Sequence, residues 1–146
     1  MSVPTWKRTR SSSEYINKIA EMNDDLRKIV FKSPTKYRVA YGDKLLDSGI
    51  QAYLCAYRAD RTRITKTDPI ENFDKRMALL KESKFYIQDV EYLSELFLGA
   101  QVNIDGANKT KISKQADKIG SYCYEISDII DSVIKNTNKR KKAVTN

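Results

Sequence analysis

Apolar positions recur at spacings of three and four through most of the chain, which is the pattern of amphipathic helices. The first such stretch predicts a helix from about Ser13 to Phe31, with serines 11–13 as candidate N-cap residues. Its apolar face consists of Ile16, Ile19, Met22, Leu26 and Ile29. Pro34 disfavours helical geometry at Ser33, so the first helix should end before the proline and a second should begin soon after it.

The second helix is predicted to begin near Tyr37 and to lose its pattern around Arg63. Its apolar stripe consists of Val39, Leu46, Ile50, Tyr53, Leu54 and Tyr57. The segment from Thr65 to Pro69 is a break. Asp68 followed by Pro69 predicts an N-cap and the first residue of a third helix.

The third helix is predicted to run to about Gln101. Its apolar positions are Phe73, Met77, Leu80, Ile87, Val90, Leu93 and Phe97. Val102 to Asn108 is predicted to be a loop, marked by Asp105-Gly106. A fourth helix follows with a heptad seam suited to bundle packing, formed by Ile112, Ala116, Ile119, Cys123, Ile126, Ile130 and Val133.

Four amphipathic helices joined by short connections predict an all-α protein, an up-down-up-down four-helix bundle over residues 13–136. A three-helix bundle with a peripheral first helix is the alternative. Residues 1–12 are predicted to be a basic N-terminal extension. Residues 137–146 are predicted to be a basic disordered tail, because the polar run after Lys135 has no face to bury. Gly42 and Gly49 lie one heptad apart, so either another helix or subunit approaches closely there or both glycines are merely tolerated.

The composition argues against an enzyme, a cofactor or a metal site. The chain has no histidine, which removes the commonest general base and metal ligand, and it has no phosphate-binding glycine loop. Cys55 and Cys123 lack the spacing of a metal or redox pair and are expected to be buried free thiols in a reducing compartment. No apolar run approaches the about 20 residues of a membrane span, and the N-terminus lacks a signal-peptide core. We therefore expect a cytoplasmic protein without a membrane partner.

The net charge of +8, from 27 Lys and Arg against 19 Asp and Glu, favours an acidic partner, with nucleic acid ahead of an anionic membrane. Residues 85–107 contain no Lys or Arg and four acids, so the excess positive charge lies elsewhere. In an up-down-up-down bundle, the starts of helices one and three meet the ends of helices two and four. We call this end of the bundle the basic pole. It would gather Lys7, Arg8, Arg10, Arg58, Arg61, Arg63, Lys66, Lys75, Arg76, Lys135 and residues 139–142.

The basic pole predicts a surface that binds nucleic acid. The guanidinium groups of Arg58, Arg61 and Arg63 present forked donors that suit phosphate, and each phosphate they neutralise releases counterions. With them we place Lys66, Lys75, Arg76, Lys7, Arg8 and Arg10 as candidate nucleic-acid contacts. The alternative is a solvated surface whose cations complement the negative ends of helices.

The segment around Pro34 also resembles a known family. It reads Pro34-Thr35-Lys36-Tyr37-Arg38-Val39-Ala40-Tyr41-Gly42-Asp43-Lys44. This is similar to a signature of the accessory variability determinant (Avd) proteins, which are related to the ribosomal intervening-sequence proteins. The likeness covers residues 14–136, and its other parts are Ala56-Tyr57-Arg58-Ala59, Leu79-Leu80-Lys81 and Val90-Glu91-Tyr92-Leu93.

The resemblance implies a four-helix bundle that assists the reverse transcriptase of a diversity-generating retroelement. Such a protein would be a homo-oligomer, expected to be a pentamer, without catalytic residues. Its partners would be the reverse transcriptase and a structured template RNA, and it would support cDNA synthesis. On this reading Arg58, Arg61 and Arg63 contact RNA. The predicted subunit interface comprises Lys36, Tyr37, Arg38, Gly42, Asp43 and Gly49.

Two other functions remain open. One is a protein-interaction module of the ribosomal intervening-sequence type. The other is a DNA-binding mobilisation or regulatory protein of a mobile element, although the sequence shows no recognition-helix motif.

Overall fold

The computed structural model describes residues 14–145, and these residues form four helices and no strand. Helix α1 is Glu14–Lys32. Helix α2 covers residues 35–61 in three consecutive parts, an α-helical turn Thr35–Tyr37, a π-helical segment Arg38–Gly42 and an α-helix Asp43–Arg61. Helix α3 is Glu71–Asp105, and helix α4 is Lys109–Thr145. The predicted all-α four-helix bundle is confirmed.

Each helix packs against two neighbours and runs antiparallel to both. Helix α1 contacts α2 and α4, and α3 contacts the same two helices from the opposite side. Hydrogen bonds across these four pairings join Tyr15 with Ala56, Ser83 with Ala52, Lys84 with Asp131 and Tyr122 with Asp25. In each pairing a residue early in one helix meets a residue late in the other, so the topology is up-down-up-down. Helix α1 is a full member of the bundle, and the three-helix alternative is wrong.

The core is built from the predicted stripes of α1, α3 and α4. Helix α4 shows this most simply, because Ile119, Cys123, Ile126 and Ile130 are all buried at the predicted heptad spacing. The largest buried side chains from the other helices include Tyr15, Met22, Leu26, Leu45, Phe73, Leu80, Ile87 and Phe97. Burying an apolar side chain of this size stabilises the fold by about 1.5 to 3 kcal/mol. The predicted stripe of α2 is wrong, because none of its six residues is buried, and Val39 and Ile50 are exposed. Helix α2 instead buries Leu45 and a row of small side chains, namely Ala52, Cys55, Ala56 and Ala59. The two predicted buried free thiols, Cys55 and Cys123, are confirmed.

The two glycines of α2 lie where α2 meets its neighbours within the same chain. A Cβ atom at Gly42 would lie 2.8 Å from Cγ1 of Val30 and 3.3 Å from Cε2 of Phe97. A Cβ atom at Gly49 would overlap the side-chain oxygen of Asn23. Both glycines therefore permit close helix packing. Of the alternatives predicted from the sequence, the approach of another helix is correct at both positions.

Two boundaries differ from the prediction. Helix α3 continues past Gln101 to Asp105, so the connection to α4 is only residues 106–108. Gly106 ends the helix in the left-handed conformation (φ 63°), and its N–H donates to the carbonyls of Gln101 and Val102. Asp68 does not cap α3. Its carboxylate accepts hydrogen bonds from the N–H and hydroxyl of Thr65, at 2.9 and 2.6 Å, and so closes the loop before the helix.

The predicted disordered tail over residues 137–146 is the largest correction. Residues 137–145 continue α4 as a helix. Thr137 is only 1% exposed, and the Lys141 ammonium lies 2.8 Å from a carboxylate oxygen of Asp74 at the start of α3. The segment is ordered because α3 begins alongside it, and the bundle therefore extends to residue 145. The predicted extension over residues 1–12 lies outside the described residues.

Candidate nucleic-acid interface

The topology brings the end of α2 beside the start of α3, as predicted for the basic pole. Between these two helix ends lies a cleft of about 370 Å³. Its lining consists of Tyr57, Arg58, Arg61, Thr62, Lys75 and Leu79. Three predicted contact residues, Arg58, Arg61 and Lys75, therefore share one surface depression with apolar walls. Arg58, Arg61 and Lys75 are exposed to solvent.

Aromatic rings hold one of these cations in position. The Arg61 guanidinium lies 5.1 Å from the centroid of the Tyr57 ring. The Tyr57 ring in turn stacks on Tyr53, with centroids 6.1 Å apart and an interplanar angle of 15°. The three side chains follow one another at i, i+4 and i+8 along α2. Stacking on the ring restricts the guanidinium and leaves its N–H groups free to bind an anion.

The loop after α2 carries the next two predicted contacts, Arg63 and Lys66. Asn72 donates to the Arg63 carbonyl at 2.8 Å, and the Arg63 side chain is 75% exposed. Its Nε lies 3.9 Å from Asp68, a carboxyl whose pKa is lowered mainly by hydrogen bonds from Thr65. Because that carboxylate is ionised, it offsets part of the positive charge of Arg63. Lys66 is exposed in the same loop.

Arg76 differs from the other predicted contacts. It is half-buried, and its Nε has no hydrogen-bond partner within residues 14–145. It lies near Tyr15, whose pKa is raised to about 12 by burial and by the charge of Asp60, with Arg76 opposing that shift. Arg76 thus faces α1 and the end of α2 rather than the cleft, and we do not include it in the interface. Lys7, Arg8 and Arg10 lie outside the described residues.

The end of α4 adds positive charge to the basic pole. Most of its cations lie in the segment that was predicted to be a disordered tail. Four cations of this helical segment are exposed, namely Lys135, Lys139, Arg140 and Lys142. Because Lys141 is paired with Asp74 on α3, these cations are attached to the bundle at the same pole as the cleft. Helix α3 begins between the cleft and this segment, so its first turns connect the two basic regions.

The predicted interface residues lie at the opposite pole. The Tyr37 hydroxyl donates to Asp105 at 2.5 Å, and the Lys36 ammonium lies 2.8 Å from the other carboxylate oxygen. The hydrogen bond from Lys36 and, to a smaller extent, that from Tyr37 lower the pKa of Asp105. Arg38 stacks over the Phe31 ring at 4.9 Å and contacts Asp43 at 3.4 Å.

These contacts connect α2 to α1 and α3 within one chain. Tyr37 is buried, and Gly42 and Gly49 are both covered by α1. Three of the six predicted interface residues, Lys36, Arg38 and Asp43, remain exposed and available to a second molecule.

Comparison of the chain with models of protein families, with curated proteins and with solved structures found no match. Among the helices of residues 14–145, none combines the length and the apolarity needed to cross a bilayer. In the same part of the chain, no group of three or more acidic or cysteine side chains could hold a metal ion.

Proposed function

We propose that this protein is a non-catalytic, nucleic-acid-binding accessory subunit. In this role it scaffolds a retroelement reverse transcriptase and its template RNA and supports cDNA synthesis. The observation that carries the nucleic-acid part is the cleft between α2 and α3, where Arg58, Arg61 and Lys75 surround an apolar wall. The reverse-transcriptase part, and assembly as a homo-oligomer such as a pentamer, rest on the resemblance of residues 34–44 and remain proposals.

The chemistry of the cleft fits a phosphate backbone better than a small anion. Its cations come from two helices and continue through Arg63 and Lys66 in the following loop, so they form a track rather than an enclosed pocket. A track of this kind binds successive phosphates and reads little sequence. We therefore propose shape-led binding of a structured RNA, with affinity that depends steeply on salt.

The nucleic-acid proposal is tested with a matched pair of double variants. Arg58→Gln with Lys75→Gln removes two cations of the cleft, whereas Lys111→Gln with Lys114→Gln removes two exposed cations at the opposite pole. All four positions are exposed, so the bundle is retained. The measurement is the dissociation constant for an RNA hairpin across a salt series. The cleft variant is expected to reduce the slope of log affinity against log salt by about 0.7 to 0.9 per cation removed.

Three results would contradict this proposal. The first is wild-type protein that does not bind RNA, which would favour the protein-interaction module. The second is an equal loss in both variants, which would mean that total charge rather than the cleft decides affinity. The third is preference for duplex DNA over an RNA duplex of the same length, which would favour the DNA-binding alternative.

The scaffold part needs a separate measurement. Primer extension by the reverse transcriptase encoded nearest to this gene is followed on its own template RNA, with and without the protein. We expect more full-length cDNA when the protein is present and less with the cleft variant. Unchanged cDNA synthesis, or a locus without a reverse-transcriptase gene, would overturn this part and leave RNA binding intact.

A further inference from the structure

Helix α3 has an apolar face that points away from the bundle core. Its inward face is buried through residues such as Ile87, Val90 and Phe97, yet Phe85, Tyr92 and Leu96 on the outer face are 66%, 62% and 54% exposed. These three positions are separated by seven and four residues, which places them on one line along the helix. The line spans about 16 Å at 1.5 Å per residue.

This outer face is also acidic. Asp89 lies on the exposed line between Phe85 and Tyr92, Glu95 lies beside it, and residues 85–107 contain no Lys or Arg. We call Phe85, Asp89, Tyr92, Glu95 and Leu96 the acidic stripe. An apolar line with carboxylates on it and beside it is complementary to an apolar surface with neighbouring cations, because burial of the apolar groups then accompanies favourable charge pairing.

The same chain carries a surface of that kind at the junction of α1 and α2. Phe31 is 57% exposed and Val39 is 72% exposed, and the Arg38 guanidinium stacks over the Phe31 ring at 4.9 Å. Lys28 and Lys32 are exposed within one helical turn of Phe31. We call Lys28, Phe31, Lys32, Arg38 and Val39 the basic patch. The π-helical segment contributes Arg38 and Val39 to it.

We propose that the acidic stripe of one molecule binds the basic patch of a second copy of this chain. Phe85, Tyr92 and Leu96 of the acidic stripe, and Phe31 and Val39 of the basic patch, are all exposed, so the two surfaces do not cover one another within one molecule. Because the contact joins two different surfaces it is head-to-tail, and a pair of molecules keeps one free acidic stripe and one free basic patch. Repetition of such a contact closes a ring or extends a filament.

A symmetric pairing of two acidic stripes is disfavoured. It would bring Asp89 and Glu95 of one molecule against the same acids of the other, and like charges across an interface cost free energy. The head-to-tail contact replaces this repulsion with pairs between carboxylates and the cations of the basic patch. The role of this assembly rests on the proposed scaffold function. The contact itself depends only on the chemistry of the two surfaces.

The test uses three single variants of the full chain at exposed positions. Tyr92→Lys disrupts the acidic stripe, Val39→Glu disrupts the basic patch, and Tyr124→Lys is the matched control on α4, where Tyr124 is 79% exposed. Mass is measured by sedimentation velocity and native mass spectrometry at tens of micromolar, after nuclease treatment. Circular dichroism confirms that each variant is folded.

We expect the wild type and the control to form an assembly larger than a dimer. Each disrupted variant should be monomeric, with the association weakened at least tenfold. An equimolar mixture of Tyr92→Lys and Val39→Glu should form a complex of two chains, because each variant supplies the surface that the other lacks. No symmetric contact predicts this recovery.

The proposal is overturned by a monomeric wild type, by dissociation of the control, or by a mixture that stays monomeric. A dimer that only Tyr92→Lys disrupts would show the symmetric contact and would also overturn it. Nucleic-acid binding is measured separately on the same variants. A monomer that still binds RNA would reject the assembly alone, and an assembly that ignores RNA would reject the proposed function alone.

Discussion

Asn23 and Gly49 form a polar contact in the core between α1 and α2. The Asn23 amide donates to the Gly49 carbonyl at 3.0 Å, and its side-chain oxygen occupies the space that a Cβ atom at position 49 would need. Both residues are buried. The hydrogen bond satisfies a buried amide, and the absence of a side chain at position 49 is what allows it to form.

Gly49→Ala is therefore expected to destabilise the protein, although alanine is the better helix former. The added methyl group must displace Asn23, which costs about 1 to 3 kcal/mol from overpacking and the strained hydrogen bond. Gly120→Ala is the matched control, because a Cβ atom there has no neighbour within 4 Å. That substitution should stabilise by up to about 1 kcal/mol. Urea unfolding of both variants measures the difference.

Asn23→Ala provides the second arm of a double-mutant cycle. Removing the Asn23 side chain makes room for the methyl group, so Gly49→Ala should cost less in that background. Equal costs in the two backgrounds would show that Asn23 is not the obstacle.

The contacts of Asp105 predict sensitivity at both ends of the pH range. Its folded-state pKa lies below the ordinary value of 3.8, so its stabilising effect is present above that value and is lost as the pH falls through the lowered pKa. Its hydrogen bond to Lys36 raises the lysine pKa above 10.5, so that contribution is lost as the pH rises through the raised value.

Asp105→Asn should lower the melting temperature at neutral pH and flatten both limbs of the stability profile. Thermal unfolding monitored by circular dichroism across the pH range measures this effect. Asp117→Asn, at an exposed position of α4 outside both proposed contact surfaces, is the control. If the two variants have superimposable profiles, the contacts of Asp105 do not contribute.

The two thiols are expected to be inert in the folded protein. Burial, with a smaller effect from Glu91, raises the pKa of Cys123 to about 12, and burial is also the main cause of the raised pKa of Cys55. Because the thiolate is the reactive form, a disulfide reagent at neutral pH should modify neither residue until the bundle opens. Rapid labelling of either thiol in the native protein would contradict its burial.

Deletion of residues 137–146 should destabilise the bundle by about 1 to 3 kcal/mol, because it removes the buried Thr137 and uncovers the start of α3. Lys141→Gln alone should cost less than about 1 kcal/mol, because its pair with Asp74 is at the surface. Chemical denaturation measures both. Hydrogen exchange should also show protected amides near Thr137, and a truncation without effect would indicate that the segment is not part of the bundle.

The buried faces of α1, α3 and α4 could be predicted because burial follows the spacing of apolar residues, as at Ile119, Cys123 and Ile126. The buried face of α2 could not, because it consists mainly of small residues such as Ala52 and Ala56, whereas larger apolar residues such as Ile50 lie on its exposed side. The segment after Lys135 could not, because its order comes from packing beside α3 rather than from its own pattern. Gly106 was interpreted only as a loop residue, although its position also indicates where α3 ends. A glycine after a run of helical positions is also the usual residue for ending a helix, and it does so here.

The sequence predicted which end of the bundle carries the candidate site, but it did not predict all of the residues that form it. Antiparallel topology alone placed Arg58, Arg61 and Lys75 at one pole, and the structure brings these three together. Arg76 was included because it is a neighbouring cation. Its spacing from Phe73 and Leu80, three and four residues, places it on the buried face of α3, so periodicity contained the signal for excluding it. Neither outer surface of the proposed self-contact follows from composition, because exposure depends on which helices are neighbours.

The π-helical segment Arg38–Gly42 has a consequence for variation in chain length. A π-helical turn accommodates one residue more than an α-helical turn, so the segment behaves as a single inserted residue. Deleting one residue there would restore a regular α-helix and rotate Lys36 and Tyr37 by about 100° relative to the rest of α2. The glycine contacts at positions 42 and 49 would keep their register, whereas the link to Asp105 would be lost. In an alignment of related chains, a one-residue gap at this point would mark those that lack the contacts of Lys36 and Tyr37 with Asp105.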